Sequence, residues 1–196
     1  MTVKYSQDLA PGKSLCKTKR CKECGLYLNQ TPIFDHRKTS KIFWVGLSAV
    51  KFSEDEEKQP LSALTRSGAL IHSIENPFIG EVSFYKTNLV KCVPLKNDKI
   101  RYPIEQEMDK CFPNFETELE ELNPSTVFLL GKQVASFVLK KMSATSPILD
   151  DNFQYSSIKI GRTNFVPVHH SSFILVYKRK FLEQYKENIQ RIITQE

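Results

Sequence analysis

An α/β fold with a parallel sheet covered on both faces is what this sequence predicts. Three observations carry the prediction. Four short apolar runs recur along the chain, at Ile42–Ser48, Val82–Val90, Thr126–Gly131 and Asn164–His169. Each run is close to continuous in apolar character rather than alternating, which is the pattern of strands buried on both faces. The stretches between and after them carry apolar residues at helical spacing. Strand and helix in alternation give βαβ units, whose strands are parallel and whose helices cover the sheet.

The composition fits one such domain. The chain has 196 residues, of which 40% are hydrophobic, enough for a single core with a small appendage. No apolar run approaches the roughly 20 residues that span a bilayer. The N-terminus, MTVKYSQDLAPGKS, has no apolar h-region, so no signal peptide is expected. A cytoplasmic location and reduced cysteines follow. Five cysteines, an odd number, argue against a closed disulfide set. The net charge of +6 biases the chain toward polyanions such as nucleic acid.

Residues 1–40 are polar and basic and read as an N-terminal arm, with 41–196 as the α/β domain. The arm holds the CxxC of Cys21 and Cys24 and has no core of its own to hold it. Ile42–Ser48 is the first buried strand and opens after Gly46 into a loop. That loop carries four acids in a row, Glu54 to Glu57, the composition of a solvated segment. Leu61–Ile74 has helical spacing through Leu61, Leu64, Leu70, Ile71 and Ile74. Val82–Val90 ends in Thr87–Asn88, and Cys92 follows. Pro103–Leu122 is helical in composition and contains Cys111, and Pro113 is expected to break or kink it. Thr126–Gly131 is the third strand and Lys132–Met142 the next helix. Asn164–His169 is the fourth strand, ending in the polar HHSS. Lys178–Thr194 closes the chain as an amphipathic helix.

Two features carry chemistry. Cys21, Cys24, Cys92 and Cys111 form two pairs far apart in the chain and read as four thiolate ligands to one metal centre. Cys16 is a spare that could replace Cys21, although the CxxC spacing favours Cys21 and Cys24. The second feature is the C-terminal edge of the sheet, where parallel α/β proteins bind ligands. That edge collects Gly46–Ser48, Thr87–Asn88, Gly131 and His169–Ser171. There is no GxGxxG, no P-loop and no internal repeat.

These strand ends, taken with the cysteines, resemble the uracil-DNA glycosylase superfamily, and within it the iron–sulfur family 4 type. Four segments carry the resemblance. VGLSAVKFSEDEEKQPLSALTRSGALI is similar to the family's first strand and loop. TNLVKCVP is similar to its TNxVKCRPP. PIEQEMDKCFPNFETELEELNPSTVFLLG resembles the segment that supplies its last cysteine and next strand. VHHSSFILVYKR resembles its HPS loop. Together they cover almost the whole chain from Cys21 onward.

The resemblance implies a three-layer sandwich with a central four-stranded parallel sheet, a [4Fe–4S] cluster on Cys21, Cys24, Cys92 and Cys111, and a monomer that accepts a flipped base from DNA. Zinc in the same thiolates is the competing metal. Gly46, Leu47, Ser48, Leu61 and Asn88 are the implied base-binding residues, with Asn88 reading the edge of the base. His169 aligns with the histidine of the HPS loop. Ser171, Ser172 and Phe173 align with the part that approaches DNA, and Phe173 or Ile174 suits a wedge in the base stack. Lys51, Lys132, Lys178, Arg179 and Lys180 are expected backbone contacts.

The departures are specific. Leu47 stands where the family has an acid that helps activate water. Leu61 matches the aromatic residue on which the base stacks, and His170 replaces a proline. Glu54 and Asp55 align roughly with the family's ED pair and are the expected replacements as water activators. A donor at the developing base anion, the expected role of His169, acts as an oxyanion hole does. Asn88 offers both a donor and an acceptor to a base edge. The expected activity is hydrolysis of the N-glycosidic bond of uracil or a substituted pyrimidine, extruded from the stack. The alternative is a DNA-binding member that has lost hydrolysis.

Overall fold

The structure is a computed structural model and describes residues 21–35, 39–52 and 58–195. Its sheet has five strands in the order β2–β1–β5–β7–β6. The strands β1 (Ile42–Ser48), β2 (Phe84–Val90), β5 (Thr126–Leu130) and β7 (Thr163–Val168) are mutually parallel. They are the four expected from the sequence. A fifth strand, β6 (Ile158–Ile160), lies antiparallel against β7, so the sheet is mostly rather than wholly parallel. Its turn, Gly161–Arg162, starts with Gly161 at φ +60°, a conformation glycine adopts freely. A separate two-stranded ribbon pairs β3 (Leu95–Lys96) with β4 (Lys99–Ile100). Its turn residues Asn97 and Asp98 both have positive φ, as a two-residue hairpin turn requires.

Residue alternation along the strands sorts the core into two layers. Phe43, Val45, Tyr85, Val127 and Leu129 point to one face. There they meet helices α2 (Glu105–Leu122) and α3 (Lys132–Lys141). Ile42, Trp44, Phe84, Phe128 and Val166 point to the other. Helices α1 (Arg66–Glu75), α4 (Ser171–Tyr177) and α5 (Leu182–Ile193) cover them. No helix among the described residues is long and apolar enough to cross a membrane.

The helices depart from the sequence expectation at several points: Ser171–Tyr177, expected within a polar loop, is helix α4, and the closing helix starts at Leu182 rather than Lys178. α1 begins at Arg66 rather than Leu61, because Thr65 caps it by accepting a hydrogen bond from the Gly68 amide at 3.0 Å. Leu61 instead sits in a loop at φ +50°. α2 runs through Pro113 without interruption. Pro113 and Asp109, whose carbonyl loses its partner there, are both exposed, so water can satisfy the orphan group.

One polar network crosses the α2 side of the sheet. Lys91 Nζ lies 2.6 Å from Glu118 Oε2 and donates to Thr87 Oγ1 at 2.6 Å. Thr87 and Tyr85 hydroxyls also donate to Glu118. Both charged side chains are essentially without solvent contact, at 1% and 0% exposure. Burial pushes the Glu118 carboxyl upward, and the Lys91 ammonium and the two hydroxyls oppose that shift by favouring the charged form. Removing one partner strands the other as a buried charge. Lys91→Met is therefore expected to lose about 3–5 kcal/mol of unfolding free energy in urea. Lys91→Met with Glu118→Leu is expected to lose much less, and a negligible loss in the single variant would contradict this account.

Candidate functional site

The chain passes from β1 through α1 to β2 on one side, then crosses to β5 on the other side of β1. The point where strand order reverses lies between β1 and β5, and a cavity of about 910 Å³ opens there at the strand C-termini. Gly46, Leu47, Ser48, Leu61 and Asn88 all line it.

Its floor is built by close approach. A Cβ on Gly46 would lie 2.4 Å from Asn88 Oδ1 and 3.0 Å from Leu61 Cδ2, so only glycine lets these two groups sit over β1. Gly68 does the same for the loop. A Cβ there would fall 2.0 Å from the Ser62 carbonyl, so the missing side chain lets Leu61–Ser62 lie against α1. Asn88 is 3% exposed, and its side-chain amide makes no hydrogen bond to the described residues. Its donor and its acceptor are therefore left to whatever enters the cavity.

The opposite wall comes from the ends of β5 and β7. Gly131 at φ +92° starts α3 without a side-chain cap, and Gly131, Lys132 and Gln133 line the cavity. The first amides of this helix and its dipole favour negative charge. Beside Gly131 stands His170. Its Nδ1 accepts from the Ser172 amide at 3.1 Å and lies 2.7 Å from Ser172 Oγ. An amide can only donate, so Nδ1 is the acceptor and the neutral ring carries its proton on Nε2. Burial holds the His170 pKa below its usual value, which keeps the ring neutral. Among the described residues, none that lines the cavity is a carboxylate.

His169 lies behind this wall. It lines a second pocket of about 410 Å³ that shares Gly131, Lys132, His170 and Phe173 with the first. Its Nδ1 is 2.9 Å from Tyr155 Oη, and its ring stacks on Phe173 with centroids 5.3 Å apart. Its carbonyl accepts from Tyr185. Asn88 and His170, rather than Asn88 and His169, thus share the larger cavity. A strand-end histidine followed by a second one gave no sequence signal for which of them turns inward.

The other expected residues are distributed unevenly. Ser172 is exposed, Phe173 is half-buried at the cavity wall and Ser171 is fully buried. Lys178 forms an ion pair with Asp151 at 2.6 Å, and Arg179 is exposed. Lys51 and Lys180 are exposed as well. Glu54, Asp55 and Cys16 lie outside the described residues, although Phe52 and Gln59, on either side of the acidic run, both line the cavity.

The four cysteines gather on the α2 side of the sheet. All four are free thiols, with Cys92 and Cys111 buried and Cys21 and Cys24 half-buried. Asn114 Nδ2 lies 3.9 Å from Cys21 Sγ and 3.7 Å from Cys111 Sγ, and the Lys91 amide donates to Cys111 Sγ at 3.4 Å. Burial, with the neighbouring sulfurs of Cys111, Cys24 and Cys21, pushes the Cys92 thiol up to about 12. Four sulfurs gathered in this way form a donor set suited to a soft cationic centre. As placed, no three cysteine, histidine or acidic side chains among the described residues converge tightly enough to hold a single metal ion.

Comparison with known proteins agrees with this architecture. The profile of the Uracil DNA glycosylase superfamily matches residues 25–193. The chain belongs to that superfamily. It is 30% identical over 132 residues to the type-4 uracil-DNA glycosylase of Saccharolobus solfataricus, a match covering 65% of this chain and 58% of that protein. It is 25% identical to the type-4 uracil-DNA glycosylase of Sulfurisphaera tokodaii, covering 90% of this chain and 76% of the other. The corresponding enzyme of Archaeoglobus fulgidus is also 25% identical, over 88% of this chain and 86% of its own. The crystal structure of SMUG2 from Pedobacter heparinus superposes with a TM-score of 0.54 at 14% identity, covering 82% of this superfamily member and 77% of SMUG2. That last likeness concerns the fold alone.

Proposed function

We propose that this protein is a DNA glycosylase that takes an extruded base into the cavity at the β1–β5 switch point and hydrolyses its N-glycosidic bond. The observation that carries this reading is the Asn88 amide on the cavity floor, which has no hydrogen-bond partner among the described residues and opens to the cavity. Membership of the superfamily supports it. Asn88 supplies a donor and an acceptor to the edge of the base. As the bond from sugar C1′ to the base nitrogen breaks, negative charge grows on the base. The Nε2–H of His170, Lys132 and the first amides of α3 stabilise it. Water adds to C1′ and loses a proton. Glu54 and Asp55, which fall in sequence between Phe52 and Gln59, are the proposed acceptors, since Leu47 cannot act.

The substrate class follows from the walls. A cavity of about 910 Å³ with Leu47 and Leu61 where the family carries an acid and a ring is roomier and more apolar than a bare pyrimidine needs. A pyrimidine with a bulky substituent fits it better than uracil. A second reading, a DNA-binding member without hydrolysis, is favoured by the lack of a carboxylate among the described residues that line the cavity.

Abasic sites should appear in DNA carrying substituted pyrimidines and, more slowly, uracil. Asn88→Ala and His170→Ala should each lower the rate by about 10²–10³. Protonation of His170 would set an N–H against the Ser172 amide and undo the helix cap. The ring is neutral above its pKa, which burial holds below the ordinary ~6.5. The rate should thus stay level as pH falls toward about 6.5 and drop only at lower pH. Absence of abasic sites from every modified DNA would leave the binding-only reading.

We infer further that Cys21, Cys24, Cys92 and Cys111 hold a [4Fe–4S] cluster that ties the N-terminal segment to β2 and α2. A cluster takes one thiolate on each iron and so accepts sulfurs more widely spaced than one zinc ion, with its Zn–S bonds near ~2.3 Å, would draw in. Anaerobically purified protein should be brown and contain roughly four irons per chain. Cys92→Ser should lose both, whereas colourless protein holding zinc would overturn the assignment.

A further inference from the structure

We propose that Tyr102 and Tyr177 are stacking platforms for the nucleobases on either side of the one held in the cavity, so that the protein engages single-stranded DNA in preference to duplex. The proposal rests on the base-binding reading of the same cavity. Both tyrosines line its mouth, and both are largely in water, at 77% and 74% exposure. Ile100 and Val176 stand exposed beside them at the same mouth. Large apolar groups clustered around one opening mark a surface built for contact.

Their placement fits a strand passing across the opening. Tyr102 belongs to the segment that follows β2 and the β3–β4 ribbon, and Tyr177 to the last turn of α4, after β7. β2 and β7 are the two outer strands of the parallel set, so the rings are delivered from its opposite sides. Tyr177 also ends an aromatic ladder. The buried His169 ring stacks on Phe173, and Phe173 packs against Tyr177 at 5.7 Å. The exposed ring is therefore backed by fixed rings, and a nucleobase would continue the ladder outward.

Charge selects the kind of partner. Arg66 and Lys132 are exposed at the same cavity, and no carboxylate among the described residues opposes them there. A phosphate backbone suits that surface. In a duplex the faces of neighbouring bases are covered by one another. An unpaired strand offers them, and stacking on aromatic side chains accepts any base.

The test is fluorescence anisotropy of the full chain with a labelled single-stranded DNA of ordinary bases, its duplex and the RNA of the same sequence, at one salt concentration. The single-stranded DNA should bind most tightly. Tyr102→Ala and Tyr177→Ala should each weaken it by on the order of ten-fold while leaving duplex binding nearly unchanged, and Tyr→Phe should restore it. Equal losses on single strand and duplex, no loss on either, or tighter binding of the RNA would overturn the proposal. Base release is scored separately. A protein that frees bases while its tyrosine variants bind normally lacks the platforms but keeps hydrolysis. One that frees none, yet binds single strands through these tyrosines, keeps the platforms and loses the hydrolytic reading.

Discussion

The buried pair of Lys91 and Glu118 is the constraint on which the working edge of this molecule depends. Two charges taken out of water are tolerated only where geometry and extra hydrogen bonds compensate for lost hydration. Here Thr87 and Tyr85 from β2 supply those bonds, so α2 is locked to β2 in one register. That register has consequences on both faces. On the α2 side it brings Cys111, one helical turn beyond Phe115 on the same face as Glu118, next to the Lys91 amide and Cys92. On the other side it fixes the end of β2, where Asn88 pairs in register with Gly46. The sulfur cluster and the cavity floor are therefore two sides of one strand end.

The cavity owes its form to missing atoms as much as to present ones. Gly46 has no Cβ under the Asn88 amide, Gly68 has none against the Ser62 carbonyl, and Gly131 leaves room for His170. Backbone approaches backbone where side chains would hold them apart. Among the polar groups facing the space are the Asn88 amide, a neutral imidazole with a fixed tautomer and the open end of a helix. All three suit a neutral base that becomes an anion. The walls that replace an acid and an aromatic ring with Leu47 and Leu61 keep that logic and change the shape it acts on.

Much of the fold was legible because a parallel strand buried on both faces can hardly be written otherwise. Ile42–Ser48 appears with the same bounds in sequence and structure, and the other three parallel strands shift by two residues or fewer at either end. β6 was not visible, since three residues of IKI are too few for a period to show. The β3–β4 ribbon had its signal in Asn97–Asp98, a turn pair overshadowed by the neighbouring cysteine. Glu118 was invisible for a different reason. In the acid-rich run from Glu116 to Glu121 nothing marks one carboxylate as buried except its seven-residue spacing from Cys111. Asn88 and Gly46 could be assigned to one edge from strand ends alone, whereas Leu61 was reached only through the family resemblance. The choice of His170 over His169 at the cavity could not, because it is made by a hydrogen bond to the Ser172 amide at the start of α4.

The proposed function requires Asn88 to be the group that meets the base. A crystal structure of the protein with a single-stranded oligonucleotide carrying a non-hydrolysable substituted pyrimidine nucleotide addresses it most directly. The base edge should lie about 3 Å from the Asn88 amide, with His170 Nε2 on the same base. A base held elsewhere, with the Asn88 amide still unpaired or turned to a protein partner, would contradict it.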